Sequence, residues 1–190
     1  MIKFLHKIGN LWWCFWSNIR WRKSNRFYDE ILPEDLTIHS IDTMRKVVNR
    51  IYAKFKYTAD GADQLWDCIT PPPANYEHYV NGELKDDCDG WASVMNYVLH
   101  KNNIEAYILS AEEIGDGHCI CLFKLNDLWH INDYNSIHKG FKSVTECIED
   151  YNKIYEESYK PKTPVYYNGI IKYDYQKGKF KLINIKRLEN

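Results

Sequence analysis

The stretch DDCDGWASVMNYVLH, residues 86–100, predicts a helix that begins at a cysteine. Asp86 and Asp87 are good N-cap residues, and Asp89 places a negative charge in the first turn, where it complements the helix dipole. A thiol at Cys88 lies beside unpaired backbone N–H groups and the positive end of that dipole, which lower a thiol pKa and favour the thiolate. A single cysteine is more often a buried structural residue, so the residues downstream decide between the two interpretations.

The same stretch predicts how this helix packs and where it stops. Ala92, Met95 and Leu99 follow the cysteine at helical spacing, so we expect one apolar face to be buried. Asn102-Asn103 supplies the stop, since Asn is favoured just past a helix end.

Size and composition indicate one globular domain. The chain has 190 residues, of which 45% are apolar, enough for a sizeable core. Its formal net charge of -1 gives no broad basic footprint for nucleic acid. The cysteines form no CxxC pair and a chain of this length needs no disulfide staples, so we expect reduced thiols; they stand at positions 14, 68, 88, 119, 121 and 147.

Targeting signals are not visible in the sequence. Basic residues interrupt the aromatic run at the N-terminus, and no small-residue cleavage site follows it. The longest apolar run there, from Leu11 to Trp16, is far too short to span a membrane. We therefore expect a cytoplasmic protein, or one carried in a particle. The Lys, Asn, Ile and Tyr content fits an AT-rich bacterial or phage genome.

Residues 1–28 form an aromatic, basic N-terminal segment. Its apolar residues repeat every three or four positions, which predicts an amphipathic helix; they are Ile2, Leu5, Ile8, Trp12, Phe15 and Ile19. We interpret this helix first as an element packed on the main domain. A basic, Trp-rich helix also suits docking to a protein partner, which we place second, or lying on a membrane surface, which we place third.

The remaining residues, 29–190, are predicted to form a single domain, with its core in 40–135 and a C-terminal helix and hairpin in 143–187. Alternating, β-rich segments predict an antiparallel sheet from 104 to 134, extended by a hairpin over 165–187. With the cysteine helix packed against this sheet, the fold class is α+β.

Two further helices and a long loop complete the predicted organisation. Ser40 opens a helix that runs to about Phe55, and Ser143 with Glu146 forms a capping-box pattern for a helix to about Tyr159. Residues 56–87 are mostly loop. Because a loop of this length is often functional and this one leads straight into the cysteine, we expect it to serve the site.

Residues 118–134 predict a hairpin that turns at Asn126-Asp127. If the loop has two or four residues, the sequence numbers of two residues that face each other across the hairpin add up to an odd number. Because side chains alternate between the two faces along each strand, this assigns every residue of the hairpin to one face of the sheet. One face carries His118, Ile120, Leu122, Trp129, Ile131 and Asp133. The other carries Cys119, Cys121, Phe123, Leu128, His130 and Asn132. A three-residue loop would instead turn His118 and Asp133 to opposite sides.

His118 and Asp133 lie at the same end of an otherwise apolar face, where cross-strand neighbours can hydrogen-bond through their side chains. If the helix that begins at Cys88 packs on this sheet, the thiol, the imidazole and the carboxylate meet at one edge of the core. These residue types are a nucleophile, a base and the group that orients the base.

Competing sites are weaker. A metal held by His118, Cys119 and Cys121 is disfavoured, because alternation turns His118 away from both thiols and no fourth ligand is evident. His130 is a base by type but falls on the wrong face. The three acidic residues around the cysteine lack the spacing and central glycine of a calcium-binding EF-hand. We predict no metal and no cofactor.

Four segments, DDCDGWA at 86–92, IEAY at 104–107, GH at 117–118 and LWHIND at 128–133, resemble the transglutaminase-like cysteine protease superfamily. That superfamily shows a Gly/Asp-Cys-Asp/Glu-x-x-Ala helix start, a strand opening with His and a Trp-containing strand ending in Asp. Upstream, FKY and WDCITP, which together fall within residues 55–71, are similar to its bacterial cysteine peptidase branch. The resemblance covers roughly residues 40–135.

The resemblance implies a papain-like core and thiol chemistry on a protein or peptide substrate, with Cys88, His118 and Asp133 as the catalytic residues. It leans toward hydrolysis of a peptide, isopeptide or other amide bond through a thioester. Transglutaminase-type acyl transfer is the alternative, as is a catalytically idle module that docks a larger assembly through its Trp-rich N-terminus.

Two positions depart from the pattern of that superfamily. Asp87 stands where a glycine is common before the cysteine. The upstream side-chain donor for an oxyanion is not fixed by the motif; the candidates are Tyr57, Gln64 and Trp66.

Overall fold

The fold is known from a computed structural model, which describes residues 2–20, 37–58, 79–80, 82–113, 116–160 and 167–188. Within them the chain has four α-helices, α1 (Ile2–Arg20), α2 (Ile41–Tyr52), α3 (Cys88–Lys101) and α4 (Val144–Tyr159). The strands are β1 (Phe55–Tyr57), β2 (Tyr79–Val80), β3 (Glu83–Asp86), β4 (Glu105–Glu113), β5 (Asp116–Leu125), β6 (Leu128–Asp133), β7 (Ser136–Phe141), β8 (Tyr167–Asp174) and β9 (Lys179–Ile183). A short 3-10 helix, Ile185–Arg187, follows.

The larger sheet has the order β7-β6-β5-β4-β8-β9, and every neighbouring pair in it is antiparallel. The α+β class predicted from the sequence is therefore confirmed. The predicted extension by the C-terminal hairpin is also correct, because β8 pairs with β4, with Ile171 opposite Ile108. Strand β7 was not predicted.

The β5–β6 hairpin turns through the two residues named from the sequence. Asn126 and Asp127 have φ of 53° and 62°, a left-handed conformation that these residue types tolerate in tight hairpin turns. The register places Leu122 opposite Ile131 and Phe123 opposite His130. The sequence numbers of facing residues thus add up to an odd number. The predicted assignment of side chains to the two faces of the hairpin is confirmed.

Helix α3 begins and ends as predicted, with Asp87 as its N-cap and Asn102 as its C-cap. The expectation of a single buried face was wrong, because every residue from Asp89 to Leu99 is buried. The helix is enclosed on both sides: its apolar residues form one cluster with Met44 and neighbouring residues of α2, and with Phe123 and neighbouring residues of the sheet.

The two faces of the large sheet are covered by different helices. Cys121 and Phe123 pack against α3, whereas Ile120, Leu122 and Ile131 pack against α4. The prediction that the cysteine helix packs on this sheet is confirmed; it did not specify a face, and α4 is the helix that covers the His118 face. Both faces are apolar, so alternation alone gave no means of assigning a helix to each. The site still assembles, because His118 and the start of α3 both lie at the same end of the sheet.

Helix α1 packs on β8 and β9 through its polar side rather than through the apolar repeat. Asn10, Cys14 and Ser17 are buried. The side-chain amide of Asn18 donates to the Phe180 carbonyl (3.1 Å) and accepts from the Phe180 N–H (2.7 Å). Gly169 permits this packing, because a Cβ there would lie 2.5 Å from Asn10 Oδ1.

The region predicted as loop before α3 contains a small sheet, with β3 parallel to β1 and antiparallel to β2. These strands have only two to four residues, too short for a clear alternating pattern. The rest of the predicted loop, 59–78 and residue 81, lies outside the described residues. Among the helices that are described, none is both long enough and apolar enough to cross a membrane.

Candidate active site

The Cys88 thiol lies at the first turn of α3. The N-cap carboxylate of Asp87 accepts from the Asp89 N–H (3.1 Å), which fixes the start of the helix. The backbone N–H of Cys119 donates to Cys88 Sγ at 3.4 Å. The largest influence on the pKa of the thiol is a side-chain hydrogen bond with Cys119, which lowers it. Burial raises this pKa, and a hydrogen bond with His118 and the charge of His118 lower it again. The net pKa is about 6, below the ordinary 9.0.

His118 is held between the thiol and a carboxylate. Its Nε2 lies 2.9 Å from Asp133 Oδ1, and the two side chains are only 9% and 12% exposed. Burial acts to lower the pKa of His118, but hydrogen bonds and charge interactions with Asp133 and Cys88 outweigh it and raise the pKa to about 10. Because Asp133 occupies Nε2, Nδ1 is the ring nitrogen left for the thiol.

Together the two shifts favour one charge state. The lowered pKa of Cys88 and the raised pKa of His118 both favour a thiolate beside an imidazolium. Asp133 accepts the other imidazole N–H and so fixes the ring orientation. The structure therefore brings together all three residues proposed as catalytic from the sequence, and the pair is in the form that a thiol nucleophile requires.

An aromatic cleft of about 380 Å³ opens onto the thiol and the imidazole. Its lining consists of these two residues, one glycine and five aromatic side chains: Tyr52, Phe55, Tyr57, Cys88, Gly117, His118, Tyr134 and Tyr155. No Lys, Arg, Asp or Glu belongs to this described lining.

The oxyanion donors proposed from the sequence are placed only in part. Tyr57 lies on the cleft, 60% exposed, with its ring 6.4 Å from that of Tyr134. Gln64 and Trp66 lie outside the described residues. The position of Tyr57 on the cleft therefore keeps it as a candidate. Its role as a hydrogen-bond donor to an oxyanion stays a prediction.

The acidic residues around Cys88 form a compact group. The carboxylates of Asp86, Asp87 and Asp89 lie within 4.8 Å of one another, so they are the described residues closest in arrangement to a metal site. Burial, and then the neighbouring carboxylates, raise the pKa of Asp89 well above its ordinary value. Asp86 also explains Gly90, because a Cβ at that position would overlap the Asp86 carboxylate.

A buried amide supports the carboxylate end of the site, and sequence reasoning did not identify it. Asn132 Oδ1 accepts from Trp91 Nε1 (2.9 Å), while its Nδ2 donates to the carbonyls of Tyr134 (2.7 Å) and Ser136 (2.9 Å). The Asn132 side chain is fully buried. In the sequence, Asn132 could have been recognised only as a polar residue on an otherwise apolar strand face. It stands directly before Asp133, the residue proposed to orient the imidazole.

The aromatic residues beside the imidazole were also missed. Tyr134 has φ of 47°, an unusual conformation for a bulky residue, and its ring centroid lies 5.9 Å from that of His118. Tyr155, on α4, stacks on the same imidazole, with the ring centroids 6.0 Å apart. These rings limit the access of water to the imidazole.

The remaining candidates have structural roles in the described part of the chain. His130 is buried, with Nε2 3.2 Å from the Leu125 carbonyl and Nδ1 accepting from the Gly140 N–H. Burial raises the pKa of the Cys14 thiol to about 12 and raises that of Cys121 further. Among the thiols whose pKa is shifted, only that of Cys88 is lowered.

No protein-family model matches the chain. No curated protein matches it either. The chemistry of the site is therefore argued from its own residues.

Proposed function

We propose that this protein is a thiol-dependent hydrolase that cleaves a peptide, isopeptide or other amide bond. One observation carries the proposal: the Cys88 thiol, with its lowered pKa, receives the Cys119 N–H and interacts with an imidazole that is paired with Asp133. A thiolate, a proton carrier and an orienting carboxylate are the groups that acyl transfer by a cysteine nucleophile needs.

In the first step, the Cys88 thiolate attacks the carbonyl carbon. The new C–S bond moves an electron pair onto the carbonyl oxygen, where the Cys88 backbone N–H and one side-chain donor stabilise the negative charge. Tyr57 is the candidate donor in the described residues. As the C–N bond breaks, His118 transfers its proton to the departing amine, which leaves a thioester on Cys88.

In the second step, His118 accepts a proton from water as the water oxygen attacks the thioester. The C–S bond then breaks, the acid product leaves and the Cys88 thiolate is restored. An amine in place of the water would give acyl transfer by the same sequence of proton movements. We favour hydrolysis because the sequence resemblance leans toward the peptidase branch of the superfamily.

The first experiment measures alkylation by iodoacetamide between pH 5 and pH 10, with peptide mapping. We expect Cys88 to react selectively with an apparent pKa near 6, while Cys14 and Cys121 serve as internal controls. In the His118→Ala variant the reaction at pH 6.5 should slow by about 100-fold, because an ordinary thiol is almost fully protonated there.

The second experiment tests turnover on a library of peptides and peptide amides. Activity that disappears in Cys88→Ala supports the hydrolase. Equal reactivity of Cys88 and the buried thiols, or full turnover in Cys88→Ala, would contradict it. Addition of a primary amine separates the two outcomes of the thioester, because a transferase would form the substituted amide instead of the acid.

The second candidate function is an interaction module without catalysis. The apolar side chains exposed along α1 favour it. The two candidates differ in the behaviour of Cys88: a pure interaction module has no use for a thiolate and should give no substrate turnover in the library experiment.

A further inference from the structure

The outward face of α1 carries an apolar stripe, defined by Ile8, Leu11, Trp12, Phe15 and Ile19. These side chains are between 41% and 57% exposed. In the described part of the chain, five of the seven large apolar side chains that are exposed lie in this stripe, and the other two, Tyr52 and Tyr57, line the cleft.

The stripe is continuous and fixed in direction. Leu11 and Trp12 are adjacent, and the other gaps between its members are three or four residues, so the members occupy one side of the helix over about 16 Å of its length. The rings of Trp12 and Phe15 lie 5.7 Å apart. The opposite side is attached to the sheet, because Asn18 pairs with the Phe180 backbone and Cys14 is buried in the cluster below. The helix therefore cannot turn its stripe inward without losing that packing.

The charge of this segment is of one sign. Residues 1–28 contain six Lys and Arg residues and no Asp or Glu, although the whole chain has a formal net charge of -1. Lys7, the residue directly before the start of the stripe, is exposed. A second copy of the same segment would meet it with like charge, which disfavours self-association through α1.

The shape of the stripe favours a flat partner. A groove that binds a helix encloses it on more than one side, but here the sheet already covers the other side of α1. A bilayer surface takes apolar side chains from one side only, accommodates Trp at the level of the headgroups and attracts Lys and Arg when its lipids are anionic.

We propose that the outward face of α1 docks the protein on an anionic lipid surface, with the stripe in the interface and the exposed Lys7 at the headgroups. This places the helix parallel to the membrane, not across it, in keeping with the absence of a spanning helix among the described residues. The proposal does not depend on the thiol chemistry, because no residue of the stripe belongs to the described lining of the cleft and the tests below use no substrate.

The test is flotation of the full chain with vesicles of phosphatidylcholine alone and with 30 mol% phosphatidylglycerol. We expect binding to the anionic vesicles, weaker binding to the neutral ones and a fall in binding between 50 mM and 300 mM NaCl. The Trp12→Ser/Phe15→Ser variant should lose about tenfold or more in partition, because two of the most exposed apolar groups are removed.

Three further variants serve as matched controls. Trp12→Leu/Phe15→Leu keeps apolar side chains at both sites and should retain most of the binding. Lys7→Gln should weaken binding to anionic vesicles only, whereas Lys153→Gln, an exposed lysine on α4, should change nothing. Circular dichroism and thermal melts confirm that each variant is folded, as expected for exposed positions.

Several outcomes would overturn the proposal. These are equal binding to neutral and anionic vesicles, unchanged binding of the Ser/Ser variant, or no vesicle binding by the wild type. If the wild type does not bind vesicles, light scattering of the protein alone tests whether a second copy covers the stripe. A dimer that the Ser/Ser variant dissociates assigns the stripe to a second copy.

Discussion

The Asn132→Ala variant tests whether the buried amide behind the site holds it together. The substitution leaves the Trp91 Nε1–H without its acceptor and the carbonyls of Tyr134 and Ser136 without a donor. A buried polar group left without a partner costs about 1–3 kcal/mol. The cost for the indole N–H lies in the upper part of that range, because its environment is fully buried. The cost for each of the two carbonyls is about 1 kcal/mol, because they lie at a turn that water can reach.

We therefore expect Asn132→Ala to lower the free energy of unfolding by about 3–5 kcal/mol, a large part of the stability of a typical domain. Urea denaturation followed by circular dichroism measures it. The matched control is Asn135→Ala, an exposed asparagine in the same turn, which should change stability by less than about 0.5 kcal/mol. A double-mutant cycle with Trp91→Phe should give a coupling energy of about 1 kcal/mol or more.

The same variant has a readout at the site. Asn132 precedes Asp133 and holds the carbonyl of Tyr134, whose φ is 47°. Loss of that hydrogen bond should let the turn relax, weaken the Asp133 contact with His118 and move the alkylation pKa of Cys88 upward. A variant with wild-type stability and an unchanged alkylation profile would refute the reasoning. The hydrogen bonds of Asn132 would then neither stabilise the fold nor position Asp133.

The remaining predictions concern the thiolate pair and the start of α3. The Cys88 thiolate stabilises the folded state fully above the ordinary thiol pKa of 9.0, and this stabilisation is lost as the pH falls through about 6. The His118 imidazolium stabilises the folded state fully below the ordinary pKa of 6.5, and this stabilisation is lost as the pH rises through about 10. Unfolding of wild type and Cys88→Ala at pH 5 and pH 8 should therefore differ more at pH 8, and an equal difference at both would argue against the ion pair. Gly90→Ala should cost about 1–3 kcal/mol, because its Cβ overlaps the Asp86 carboxylate. Gly9→Ala, where a Cβ meets nothing within 4 Å, should instead stabilise α1 by about 0.5–1 kcal/mol, and thermal melts compare the two.

The parts of this structure that local rules determine were predicted from the sequence. Strand alternation and a two-residue turn were enough to place His118 beside Asp133, because both rules act over a few residues. The N-cap carboxylate and the asparagine stop determined the ends of α3 in the same way.

The parts that depend on packing were not predicted. Alternation shows that Cys121 and Ile120 lie on opposite faces of a strand, but not which helix covers which face when both are apolar. For α1, the apolar repeat suggested a packed face, yet small and polar side chains such as Cys14 and Ser17 allow the closer approach to the sheet. The bonds of Asn132 join residues that come together only after the hairpin and α3 have docked.

The pairing of Asn18 with Phe180 has a consequence for how the protein avoids aggregation. Strand β9 is the last strand of its sheet, and an outer strand with free N–H and C=O groups invites pairing with another chain. The amide of Asn18 satisfies one such N–H and one such C=O, as a neighbouring strand would. Removal of α1 would therefore do more than delete a docking surface: it would uncover a strand edge, and the shortened chain would tend to assemble edge to edge.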